Sequence, residues 1–154
     1  MSYIDQLKSI IKEYQTAGQP WPASSHDIAQ WALEIGRWAP QRSTLINRCA
    51  EEISRALREE YISDSQGRRV RAKHVARIDM NGKQVGFWAD VRTAPREHME
   101  IAFQQRREAI SADCRQLKTD IDSYNENFNA GQPIQMVFDF TDDLAEAEAL
   151  LAIA

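Results

Sequence analysis

Residues 68–92 read RRVRAKHVARIDMNGKQVGFWADVR. Asn81-Gly82 is the strongest short-range signal in the stretch, because a type I′ hairpin turn needs positive φ at both central residues. Placing that pair at the tip of one hairpin fixes the register. Val70, Ala72, His74, Ala76, Ile78 and Met80 then share a face with Val85, Phe87, Ala89 and Val91. Arg69, Arg71, Lys73 and Arg77 line the opposite face. The hairpin is apolar on one side and basic on the other. The register sets Lys73 across from Asp90, Val75 beside Trp88, and Arg71 across from Arg92.

Helical patterns precede the hairpin. Ile4, Leu7, Ile11 and Tyr14 are spaced three and four apart, which predicts a helix over 2–16, ended by Gly18, Pro20 and Pro22. Ser24 with Asp27 is a capping-box pattern opening a second helix, and Gly36 suits its C-terminal cap. Pro40 fits the first turn of a third helix running to about Tyr61. Ile46, Cys49, Ile53, Leu57 and Tyr61 form its inner stripe, and Arg42, Asn47, Arg48, Arg55 and Arg58 fall mostly off it. Asp64 to Gly67 is a turn.

After the hairpin, Ala94-Pro95 opens a long helix over 96–128. Phe103, Ile110, Cys114, Leu117, Ile121, Tyr124 and Phe128 recur on it as a heptad seam, with Arg107 in the one polar position. The seam is roughly 39 Å long at the helical rise. It packs on the chain's own helices or on a second copy. Residues 134–140, IQMVFDF, alternate as a strand. Thr141 caps a last helix with Asp142 and Asp143 in its first turn. The fold class is therefore α+β and mainly helical. It divides into a domain over 1–92 and a packing or dimerisation segment over 95–154.

The order helix, helix, helix, hairpin, with Ala32 and Gly36 four apart, resembles the winged helix-turn-helix over about residues 25–92. Arg37 and Arg42 depart from the tight form of that motif, and Trp38-Ala39-Pro40 lengthens its turn. The chain as a whole resembles small uncharacterised bacterial proteins, a likeness that carries no function. The winged-helix resemblance implies a DNA-binding protein of regulatory type, in which the start of the third helix enters the major groove. Gln41, Arg42, Ser43, Thr44, Asn47 and Arg48 stand there, and Arg, Gln and Asn are suited to base edges. Arg68, Arg69, Arg71, Lys73 and Arg77 of the hairpin are the phosphate contacts.

The charge pattern bears on this reading. The 154 residues carry a net charge of -4, which by itself disfavours a polyanion partner. Residues 37–77, however, hold ten basic and five acidic groups, so the positive charge is concentrated. The competing expectation is a solvated basic face on a non-catalytic protein-interaction module that uses the long helix. Cys49 and Cys114 have no short-spaced metal pattern and are expected as reduced core thiols. No cofactor and no metal are expected. The N-terminus is too polar for a signal peptide, and no apolar run approaches a membrane span, so a cytoplasmic protein with no membrane partner is expected. Enzymatic patterns are weak. His26, His74 and His98 are scattered, and His74 on the apolar face suits a hydrogen-bonded core position. Asp139, Asp142 and Asp143 are explained by helix capping.

Overall fold

A computed structural model describes residues 2–153. The chain is α+β and mainly helical, and its described residues form five helices and two small antiparallel sheets. It forms two compact units that divide between Ala56 and Leu57.

The first unit begins with α1 (Tyr3–Thr16) and α2 (Ser25–Glu34). Both open with a full capping box. Ser24 Oγ accepts from the Asp27 amide at 3.1 Å, and the Asp27 carboxylate accepts from the Ser24 amide at 3.3 Å. Ser2 and Asp5 do the same for α1. At the end of α2, Gly36 takes φ of 73°. The Arg37 amide then donates to the Ala32 carbonyl, and the Gly36 amide to the Leu33 carbonyl, the paired bonds of a Schellman cap. Tyr14 is buried and meets Trp31 edge-on, with centroids 5.5 Å apart. Arg37 closes the helix pair by donating two hydrogen bonds, from Nε and an Nη, to the Glu13 carboxylate.

The third helix, α3 (Arg42–Arg58), is shorter at both ends than its sequence suggests. The Gln41 carbonyl accepts the first helical bond, from Leu45, so Pro40 falls just outside the helix. Tyr61 is not helical but starts a strand. The expected inner stripe is not inside: Ile46 and Ile53 are 62% and 54% exposed, and Cys49 is exposed as well.

The second unit is built on one bent chain. It contains β1 (Tyr61–Ser63), β2 (Arg69–Arg71), β3 (Lys73–Met80) and β4 (Lys83–Asp90). The turn between β3 and β4 has φ of 54° at Asn81 and 82° at Gly82, as a type I′ turn requires. Its register sets Val75 opposite Trp88 and Lys73 opposite Asp90, as expected. The ladder does not continue to Arg71 and Arg92. The chain bends at Ala72, which is fully buried, and β2 pairs with β1 instead. Arg71 therefore faces Tyr61. The Ala72 amide donates to the Glu60 carbonyl, and its carbonyl accepts from Val91. One alanine thus joins two ladders.

The long helix α4 (Arg96–Asn127) packs against β3. Small residues let it approach: Ala76 and Ala102 are buried. The Gln105 carboxamide accepts from the Arg77 amide and donates to the Arg77 carbonyl, both at 2.8 Å. It occupies the strand's edge as a neighbouring strand would. His74 Nε2–H donates to the Arg71 carbonyl, and the ring meets Phe103 edge-on.

Residues 134–140 are not a strand. A strand needs a paired edge, and no described strand lies beside this segment. Asn125 instead brackets Ile134, accepting from its amide and donating to its carbonyl. The last helix, α5 (Thr141–Ile153), is capped by Asp139, not by Thr141. The Asp139 carboxylate accepts from the Thr141 amide and hydroxyl.

Gln105→Ala leaves the Arg77 amide and carbonyl without their partner. It is expected to lower stability by about 1 kcal/mol, since water reaches this edge, and urea denaturation measures the change.

Candidate functional site

The outer face of the β3–β4 hairpin carries Lys73, Val75 and Arg77 on one strand. Gly86, Trp88 and Asp90 stand opposite them on the other. One stripe of α4 faces this surface: Ala102, Gln105, Arg106 and Ala109, spaced three, one and three apart. Arg58, at the end of α3, and Arg71 complete the wall. Together they enclose a cleft of about 200 Å³. Beside it, Gly86 leaves room for Val75, since a Cβ there would lie 3.1 Å from Val75 Cγ2.

The cleft is strongly cationic. Arg58, Arg71, Arg77 and Arg106 line it, and none forms an ion pair with a described carboxylate. The Arg58 guanidinium lies 6.0 Å from the centre of the Trp88 ring, at the outer limit of a cation–π contact. Loss of solvent around Arg106, and then the charge of Arg71, push the Arg106 guanidinium below its ordinary pKa. Positive charge gathered without compensation favours an anion.

Lys73 borders this cluster but is neutralised. Its Nζ lies 2.8 Å from Asp90 Oδ2 and 3.8 Å from Glu60 Oε2. The bond to Asp90 is the main cause that holds the Lys73 pKa above its usual value. Arg92 and then Lys73 hold the Asp90 carboxyl well below the usual carboxylate range. That ion cluster fixes the mouth of the hairpin next to the cleft.

The residues expected from sequence to touch nucleic acid separate by position. Gln41, Arg42, Ser43, Thr44, Asn47 and Arg48 belong to the first unit. Thr44 is half-buried, and Arg48 pairs with Glu52. In the second unit, Arg68 is held by Asp64 at 2.8 Å, and Arg69 lies 4.0 Å over the Tyr61 ring. Only Arg71, Lys73 and Arg77 of the expected hairpin set reach the cleft. Sequence reasoning left Arg58, Trp88 and Arg106 out of the nucleic-acid set. The signal for Arg106 was the pair Ala102 and Ala109, small residues seven apart that share its helix face.

The seam of α4 is a separate feature. Phe103, Ile110, Leu117, Tyr124 and Phe128 are exposed, the last at 75%, while Cys114 and Ile121 are half-buried. Phe138, Phe140 and Leu144 form a groove with Ile110 and Cys114 beside it. Among the described residues, no three His, Cys, Asp or Glu side chains converge as a metal site requires. No described helix is long and apolar enough to cross a membrane. No family model, curated protein or solved structure matches the chain.

The Asp90 cluster has a pH signature. A carboxyl depressed by folding stabilises the native state above its unfolded pKa of about 3.9, and that contribution is lost as pH falls through the folded value. Asp90→Asn is expected to melt below the wild type at neutral pH. The two melting curves should converge in strong acid, as followed by circular dichroism across pH.

Proposed function

We propose that the protein binds nucleic acid through phosphate contacts in the basic cleft of its second unit. One observation carries the reading: Arg58, Arg71, Arg77 and Arg106 share one small cleft without an acidic partner among the described residues. Guanidinium groups suit phosphate because their fixed fork of donors matches its oxygens. Arginine exteriors are usually solvated faces, and the paired Arg68, Arg92 and Arg96 fit that description. The four in the cleft differ, since they have no carboxylate partner among the described residues and line one concave surface.

The support comes from the cleft and not from the winged-helix resemblance, because the hairpin packs on α4 within the second unit. Four phosphate contacts give a log–log salt slope of about -3 to -4. Binding should therefore fall roughly a hundredfold between about 50 and 200 mM salt. Arg71→Ala with Arg106→Ala should make the slope shallower by about 1.5. Fluorescence anisotropy with a labelled oligonucleotide measures both quantities. Absence of binding at the lower salt, or a slope untouched by the double substitution, contradicts the proposal.

A second reading, a protein partner along α4, is favoured by the exposed seam from Phe103 to Phe128. The partner that fits a self-complementary 3-4 repeat is a second copy. Light scattering is then expected to give a dimer mass for the wild type and a monomer mass for Ile121→Asp. A monomeric wild type removes this reading.

A further inference from the structure

Resting on the nucleic-acid reading above, we propose that the cleft takes a single strand in preference to a duplex, with a base stacked against the Trp88–Arg58 pair. Three observations support this inference.

The cleft is concave and small, about 200 Å³. A duplex presents its phosphates on a convex rim and keeps its bases stacked inside. It can touch the rim of such a cleft but cannot carry a base to its wall. A single strand turns its bases outward, and a phosphate and its neighbouring base can enter together.

The wall has a stacking surface. Trp88 is half-buried on the outer hairpin face, across from Val75. The Arg58 guanidinium stands 6.0 Å from its ring centre. Arg58 is exposed, so it can swing aside or sandwich an incoming base. Aromatic rings and guanidinium planes are the two surfaces on which unpaired bases stack. Val75 and Ala109 leave the rest of that wall apolar.

The cleft lacks a free amide reader. Gln105 is the lining side chain suited to reading adenine, and its carboxamide is committed at both ends to the Arg77 backbone. The remaining polar side chains of the lining are cationic, apart from the Trp88 indole N–H and His74, whose Nε2–H is given to the Arg71 carbonyl. The geometry therefore points to binding without amide readout of adenine, in which phosphate charge and stacking supply most of the affinity.

The test compares a labelled oligothymidylate of about 20 nucleotides with a mixed-sequence duplex of the same length, at one salt concentration, with the full chain. The single strand is expected to bind at least about tenfold more tightly. Trp88→Ala is expected to lose about tenfold on the single strand and little on the duplex, while Trp88→Phe retains most of the affinity. Circular dichroism checks that the variants fold. Arg58→Ala removes half of the stacking pair from an exposed position and is expected to weaken the single strand more than the duplex. Duplex binding as tight as single-strand binding overturns this inference and leaves phosphate binding in place. Equal losses on both ligands from Arg58→Ala and from a folded Trp88→Ala also overturn it. Binding of neither ligand overturns the parent reading and this inference with it.

Discussion

The close approach of α4 to β3 is the constraint on which the second unit depends. Alanine is the residue that permits it: Ala72, Ala76 and Ala102 are buried where the bent strand and the helix meet. A larger side chain at any of these positions would push the elements apart. Gln105 then satisfies the backbone of Arg77 where a further strand would otherwise be needed. Because the contact is so close, the outer hairpin face and one stripe of α4 enclose a cleft instead of diverging into solvent. The arginines on those two surfaces line the same cleft.

The resulting electrostatics divide the basic residues into two kinds. Lys73, Arg68 and Arg92 sit beside carboxylates and contribute to local order. Arg58, Arg71, Arg77 and Arg106 have no such partner among the described residues and line one cleft with their charge unpaired. Keeping like charges together disfavours the folded state unless something else is gained. The proposed anion would offset that cost, and partial loss of solvent, followed by the charge of Arg71, holds the Arg106 guanidinium below its ordinary pKa. The exposed apolar seam on α4 carries a comparable imbalance in hydrophobic surface.

Much of the local structure was legible in the sequence because its causes are local. Asn81-Gly82 fixed the turn, and with it the register that sets Trp88 across from Val75 and Lys73 across from Asp90. Ser24 with Asp27 opened α2, Gly36 closed it, and the long helix ends one residue from its expected end. What depends on distant contacts was less legible. The bend at Ala72 arises because β1 claims β2, and nothing within 68–92 signals that. The segment 134–140 has strand alternation but no described strand beside it. The stripe of Ile46, Cys49 and Ile53 has helical spacing but remains exposed. Half of the cleft was foreseen through Arg71 and Arg77. The other half, Arg58 and Arg106, required knowing which elements meet.

The most direct measurement is of the arginine side chains themselves. Nitrogen-15 spectra of the guanidinium Nε–H groups, recorded while an oligothymidylate is added, separate the cleft from every other basic surface. The account predicts that Arg58, Arg71, Arg77 and Arg106 shift together as the strand binds, while Arg42 and Arg48 of the first unit keep their positions. Shifts confined to arginines outside the cleft, or none at all under binding conditions, would contradict it.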